Sequence, residues 1–314
     1  MSDETWPQPL TTVHGPFSQE RIDGAADGMG SYGPATRAVA SAGLVQPDLI
    51  TGMTLFLLAR QPRPEPAGPA EPDKPKRASP IAGGVWVREQ FTIHRPLSRT
   101  DRFEVAGEST GRYVRKGRSY GTTRSWSHDS RGRLVASNLT TGLLSYKAEE
   151  GRDDEVEGLP LDQTPSPEPD WTAAADNPHR VAIGTATPGQ QLGGQQALIS
   201  LAMMAARDTA QPDNPIHSDP EEARRAGLAR PIAGGSHVLA FALEPLLAAW
   251  GSEALSHGTL FDIRWRVPTE CDVAIVPTAT VTGVDPDRVT VEVAVTLADG
   301  PVAMVGTLTV PLPA

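Results

Sequence analysis

The residues best placed to do chemistry lie in Asp213-Asn214-Pro215-Ile216-His217-Ser218-Asp219-Pro220, ahead of the glycine pair Gly234-Gly235 and the apolar run 236–250. A neutral imidazole has a reference pKa of about 6.5, so His217 can accept a proton from water near neutral pH. Asp219 suits an N-cap, Pro220 the first helical position, and Glu222 the capping-box acid. The spacing therefore predicts a histidine on a pinned loop with a helix starting right behind it. A helix opening at Gly234-Gly235 leaves backbone amides without intrahelical partners, and these could face a carbonyl oxygen. Asp213, four residues before His217, is the nearer acid ahead of it; Asp208 falls near the end of the preceding helix. Asn214, Gly234, Ser236 and His237 are the candidate substrate contacts. Each has a plainer reading: Asp213 as a turn acceptor, His217 as a satisfied buried histidine, Ser236 as a cap, and His237 as a core or helix-end residue.

Two similar units hold these residues. The stretch RAVASAGLVQPDLITGMTLFLLAR runs parallel to EEARRAGLARPIAGGSHVLAFALEPLLA: Ala42-Gly43-Leu44 aligns with Ala226-Gly227-Leu228 and Pro47 with Pro231. Each leads into a nearly all-apolar helix, the mark of a helix enclosed by a sheet, and Pro245 is expected to kink or end the second. Alternating runs follow each helix, with Asp129-Ser130-Arg131-Gly132 and Asp299-Gly300 as turn signals. FTIHRPLSRTD and FDIRWRVPTECD are cognate phrases. On this alignment Gly33 stands where His217 does, so the chemistry belongs to the second unit alone.

The predicted division is an N-terminal unit over 1–150, an acidic linker over 151–170, and a C-terminal unit over 171–314. Residues 1–16 read as a loose lead-in. Positions 61–80 form a proline-rich, charged excursion, expected to be extended and disordered. VAIGTATPGQQLGG reads as a short strand and turn, and QQALISLAMMAARDTA as a helix.

At 314 residues, with 39% hydrophobic and 21% charged residues, the chain is long enough for about two domains and a sizeable core. A net charge of −10 argues against general nucleic-acid binding, which relies on Lys and Arg to neutralise phosphates. Seven basic residues between Arg112 and Arg133, among them Arg115, Lys116, Arg118, Arg124 and Arg131, face one acid, Asp129. They form either a phosphate-binding patch or a solvated hairpin face. An acidic N-terminus without an apolar core, and no run of about 20 apolar residues, point to a cytoplasmic protein without a membrane partner. The single cysteine, Cys271, excludes an internal disulfide and reads as a small strand residue; no Cys/His cluster has metal-ligand spacing. P-loop, dinucleotide and nucleophile-elbow motifs are absent.

Asn214-Pro215-Ile216-His217, Asp219, Ala223, Gly227-Leu228, Pro231-Ile232 and Gly235 together resemble the signature of the MaoC-like, R-specific enoyl-CoA hydratases (hydratase 2). That signature reads roughly G-D-x-N-P-[ILV]-H-x-D, then A-x-x-x-G-[FL]-x-x-P-[ILV]-x-H-G. Two positions depart from it: Pro212 stands in the aspartate slot, with Asp213 one place later, and Gly234 replaces the second histidine. The resemblance implies an α+β double hotdog, in which two fused units each wrap a curved antiparallel sheet around a long central helix. It implies a lyase of fatty acid metabolism that hydrates a 2-enoyl thioester, or dehydrates the 3-hydroxyacyl product, without metal or redox cofactor. Asp213 and His217 would handle water and the Gly235 amide would hold the thioester oxygen. The substrate would be a medium- or long-chain acyl-CoA or acyl-ACP, and a homodimer of two-unit chains is plausible. The rivals are a hotdog acyl-CoA thioesterase and a retired hotdog that binds acyl thioesters without turnover.

Overall fold

The computed structural model describes residues 5–61, 85–144, 148–159, 163–208, 214–298 and 300–312. The first half carries β1 (Gln8–Gly15), α1 (Gln19–Asp27), α2 (Pro34–Ser41), α3 (Pro47–Ala59), β2 (Val85–Ile93), β3 (Phe103–Arg115), β4 (Arg118–Asp129), β5 (Leu134–Leu143) and β6 (Glu155–Gly158). The second carries α4 (Trp171–Ala174), α5 (Arg180–Gly184), β7 (Gln191–Gly193), β8 (Ala197–Ile199), α6 (Leu201–Asp208), α7 (Pro220–Arg225), α8 (Gly235–Trp250), β9 (Thr259–Trp265), β10 (Val273–Asp285), β11 (Arg288–Leu297) and β12 (Val302–Pro311). Among the described residues, no helix is long and apolar enough to cross a membrane.

Antiparallel pairing runs β1-β3-β4-β5-β2-β9-β12-β11-β10-β7, with β6 added to β3 and β8 to β10. The order β3-β4-β5-β2 in one half recurs as β10-β11-β12-β9 in the other, and β2 meets β9 at the seam. There Phe91 lies opposite Phe261, its counterpart in the repeated phrase, with ring centroids 4.3 Å apart. A residue facing its own counterpart is the contact made by a twofold axis. The helix α3 packs on β1 to β5, while α8 packs on β7, β10 and β11. This is the double hotdog, two helices each held by half of one continuous sheet.

The repeat extends to single hydrogen bonds. The helices α2 and α7 are both followed by a left-handed glycine, Gly43 (φ 76°) and Gly227 (φ 88°). Leu44 N–H then reaches back to the Val39 carbonyl at 3.2 Å and Leu228 N–H to that of Ala223 at 2.9 Å, the same helix-ending motif twice. Beyond it the copies diverge. The first long helix starts on Pro47, which has no N–H to offer, whereas α8 starts on Gly235, four residues after Pro231. The two helix starts therefore differ in their first amide: absent at Pro47, present at Gly235.

Several segments depart from the sequence reading. Residues 8–15 are an edge strand on β3, with Val13 and Gly15 buried, where a loose lead-in was expected. Residues 180–184 are helical, and Cys271 sits in the turn before β10. Pro245 does not end α8; its ring lies where a Gly193 side chain would be, 2.8 Å from that glycine's ideal Cβ. The preceding residue, Glu244, caps the neighbouring helix α2, accepting from Ala35 N (2.6 Å), Thr36 N (2.9 Å) and Thr36 Oγ1 (2.6 Å). The excursion predicted over 61–80 lies outside the described residues apart from Gln61, as does Asp299 of the second hairpin signal.

The inner face of the first half-sheet is unusually polar. Glu89, fully buried on β2, accepts from Asn138 Nδ2 (3.0 Å) and Thr140 Oγ1 (3.3 Å). Burial pushes its pKa from 4.5 to about 8, against the opposing pull of those two donors. Between those values the folded protein holds a proton that the unfolded chain has released, so stability falls as pH rises through this window. Glu89→Gln should remove that slope. Urea midpoints at pH 5.5 and 8.5 test it: an equal drop in variant and wild type would show that Glu89 is not the titrating group.

Candidate active site

Residues Pro215–His217 form a single 3-10 turn, followed by α7, whose N-terminus is capped by Asp219 Oδ1 accepting from Glu221 N (2.7 Å) and Glu222 N (3.3 Å). The Glu222 carboxylate pairs with Arg225 and does not close a capping box. His217 Nδ1 lies 2.7 Å from the Ile232 carbonyl, which can only accept, so Nδ1 carries the proton of the neutral ring. Its Nε2 lone pair is left facing Asn214 Nδ2 at 3.3 Å. That is the tautomer a base needs.

Nε2 also lies at the start of α8, 3.7 Å from the point where a Gly234 Cβ would stand. The Gly235 and Ser236 amides meet no acceptor among the described residues. The turn is locked by Ala233 N–H donating to the Thr269 carbonyl (2.8 Å), and Trp265 Nε1 donates to the Gly235 carbonyl (3.1 Å). Above it, Trp86 and Trp265 pack with ring centroids 5.5 Å apart. Lone pair, helix amides and indole roof all border one cavity of about 980 Å³.

Asn214, His217, Gly234, Gly235, Ser236 and His237 all line this cavity. His237 does so with Nε2 committed to the Gly28 carbonyl at 2.7 Å. Burial, then the charge of Arg207, lowers its pKa to about 3 despite that bond, so its ring stays neutral and serves as wall and anchor. Asp213 lies outside the described residues, as does the Asp208 side chain at the end of α6. Of the basic stretch, Arg112 and Arg118 border the cavity, while Arg124 pairs with Glu108 (3.3 Å) and Arg133 with Asp129 (2.7 Å).

Sequence reasoning did not single out Trp86, Trp265, Arg21 or Arg207, which reach the cavity from four different elements or their edges. It also left His94 without a partner. On the outer face of the sheet His94 Nδ1 bonds Asp170 Oδ2 (2.8 Å) and Nε2 bonds Ser137 Oγ (3.0 Å). Burial lowers the pKa of His94 and the Asp170 bond opposes this. Ser137 sits on β5 between β4 and β2, so its neighbouring amides belong to the ladder. The relay clamps the segment leading into α4 onto the sheet.

No protein-family model matches the chain, and no curated protein matches it. Solved structures do. A MaoC-like dehydratase is 18% identical, with a TM-score of 0.69 and 98% of each chain covered. A MaoC-like dehydratase from Phytophthora capsici is 16% identical, with a TM-score of 0.63, covering 98% of this chain and 96% of that one. The full-length peroxisomal multifunctional enzyme type 2 of Drosophila melanogaster is 16% identical, with a TM-score of 0.63 over 96% of this chain and 48% of its own. With helices, strand order and seam all accounted for, the chain has the double-hotdog fold of the MaoC-like dehydratases.

Proposed function

We propose that this protein hydrates a 2-enoyl thioester reversibly to the (R)-3-hydroxyacyl thioester, or runs the same step as a dehydratase. The observation that carries this reading is His217, with Nδ1 on the Ile232 carbonyl and Nε2 turned toward the start of α8, beside the open amides of Gly235 and Ser236 in one cavity. In the proposed step, water gives a proton to Nε2 while its oxygen bonds to C3 of the enoyl group. The electron pair of the C2–C3 double bond moves toward the thioester oxygen, where the helix amides hold the developing charge. A proton returned to C2 then completes the 3-hydroxyacyl product. Asp213, four residues before His217, is assigned to orient the water and share the proton transfer. The exposed Arg60, Arg112, Arg118 and Arg266 border the cavity and suit the phosphates of CoA better than a carrier protein's single phosphodiester.

Incubation with a panel of trans-2-enoyl-CoA thioesters, alkyl and carboxylated, should show loss of the conjugated enoyl absorbance without release of thiol. Thiol release would make the protein a thioesterase. Binding with neither change on any panel member would leave a non-catalytic acyl-thioester binder.

A further inference from the structure

We infer that Asp48, in the first half, is a positioning residue for the chemistry of the second: paired with Arg207, it fixes α6 against both the turn that carries His217 and the start of α8. This rests on the hydratase reading above and adds to it a residue that does not itself border the cavity.

Asp48 lies in the first turn of α3 and Arg207 in the last turn of α6; both are buried, and Arg207 Nη2 donates to Asp48 Oδ2. Arg207 does border the cavity, together with His217, Gly235 and His237. From this pair the contacts run two ways. The helix α6 packs directly on the turn Pro215–His217. It also packs on Gly28: the Arg207 Cβ and the Met203 carbonyl stand 3.0 and 3.2 Å from where a Cβ of that glycine would be. The Gly28 carbonyl in turn accepts from His237 Nε2 at 2.7 Å, two residues after Gly235. In so close a packing a shift of α6 is passed on to both sides of the reaction, the base and the helix amides.

As a stabiliser the pair is poor. Asp48 Oδ1 and Arg207 Nη1 are buried and have no hydrogen-bond partner among the described residues, so the cost of desolvation is only partly offset. An apolar pair of similar volume would hold the two helices together at least as well. What apolar contact lacks is direction. A charged hydrogen bond sets how α6 is turned, and a misplacement of about 1 Å can cost about a hundredfold in rate. In the alignment of the two units Asp48 follows Pro47 as Ile232 follows Pro231. The Ile232 carbonyl orients the His217 ring directly, and its counterpart in the other half acts on the same site through a side chain.

Two variants and one spectrum test this. Asp48→Asn keeps the shape and removes the charge; we expect kcat to fall about tenfold or more with KM within about twofold of wild type. Asp48→Leu combined with Arg207→Met replaces the pair by apolar side chains; we expect a urea midpoint at or above wild type while kcat stays about tenfold down. Full kcat in either would overturn the inference and mark the pair as structural only. If the double variant folds poorly, Asp48→Asn decides. Nitrogen-15 spectra of the His217 ring and of the Gly235 and Ser236 amides need no substrate: Asp48→Asn should shift these signals and mix the two ring tautomers. Wild-type signals in that variant would overturn the inference whatever the turnover. An inactive wild type would sink the hydratase reading and leave the spectra to decide whether Asp48 braces the site.

Discussion

His217→Ala should lower kcat for the best enoyl-CoA substrate about a thousandfold, the usual contribution of a positioned general base. The expectation follows from the ring's tautomer. The Ile232 carbonyl fixes the proton on Nδ1, and only Nε2 can then take one from water. Alanine removes the base but leaves the turn's proline and the α7 cap untouched, so stability should fall by only about 1 kcal/mol, the worth of one lost hydrogen bond. Single-turnover rates and urea midpoints measured on the same preparation separate chemistry from folding. Turnover within tenfold of wild type would exclude His217 as the base.

Much of the architecture was legible because the chain states it twice. The Ala-Gly-Leu triplets mark two helix endings that are alike down to the Leu44–Val39 and Leu228–Ala223 bonds. The phrases around Phe91 and Phe261 meet at the seam. The site's local half was legible too, since a pinned histidine, a glycine pair and a helix start lie within about twenty residues. What stayed hidden is what the fold assembles from distance. Trp86 and Trp265 lie on β2 and β9, far apart in the sequence, and only the fold brings them over Gly235. Arg21 and Arg207 lie on short helices, and no local pattern shows that α1 and α6 pack together beside the cavity. The edge strand β1 has only two buried positions, Val13 and Gly15, too weak a period to distinguish from a lead-in. Pro245 was expected to kink or end its helix; α8 runs on past it to Trp250, and Gly193 across the interface leaves room for the ring.

Gly235→Ala should lower kcat/KM about a hundredfold or more and stability by about 2 kcal/mol. An ideal Cβ there would stand 2.9 Å from Trp86 Cε3 and 3.1 Å from Trp265 Cε2. Trp265 is held by its own bond to the Gly235 carbonyl, and the preceding turn by the Ala233–Thr269 bond. Relief must therefore come from rotating an indole or moving the first turn of α8, and either misaligns the amides with the thioester oxygen. Gly234→Ala is the matched control, because its backbone angles (φ −60°, ψ 149°) suit alanine and its methyl would meet only the edge of the His217 ring at 3.7 Å. It should leave the urea midpoint within about 0.5 kcal/mol of wild type while slowing turnover roughly tenfold, since the methyl crowds the space the water needs beside Nε2. The contrast is the critical result. If both variants lose the same stability, the indoles are not what requires glycine at 235; if Gly235→Ala keeps full kcat/KM, the start of α8 does not hold the reacting oxygen.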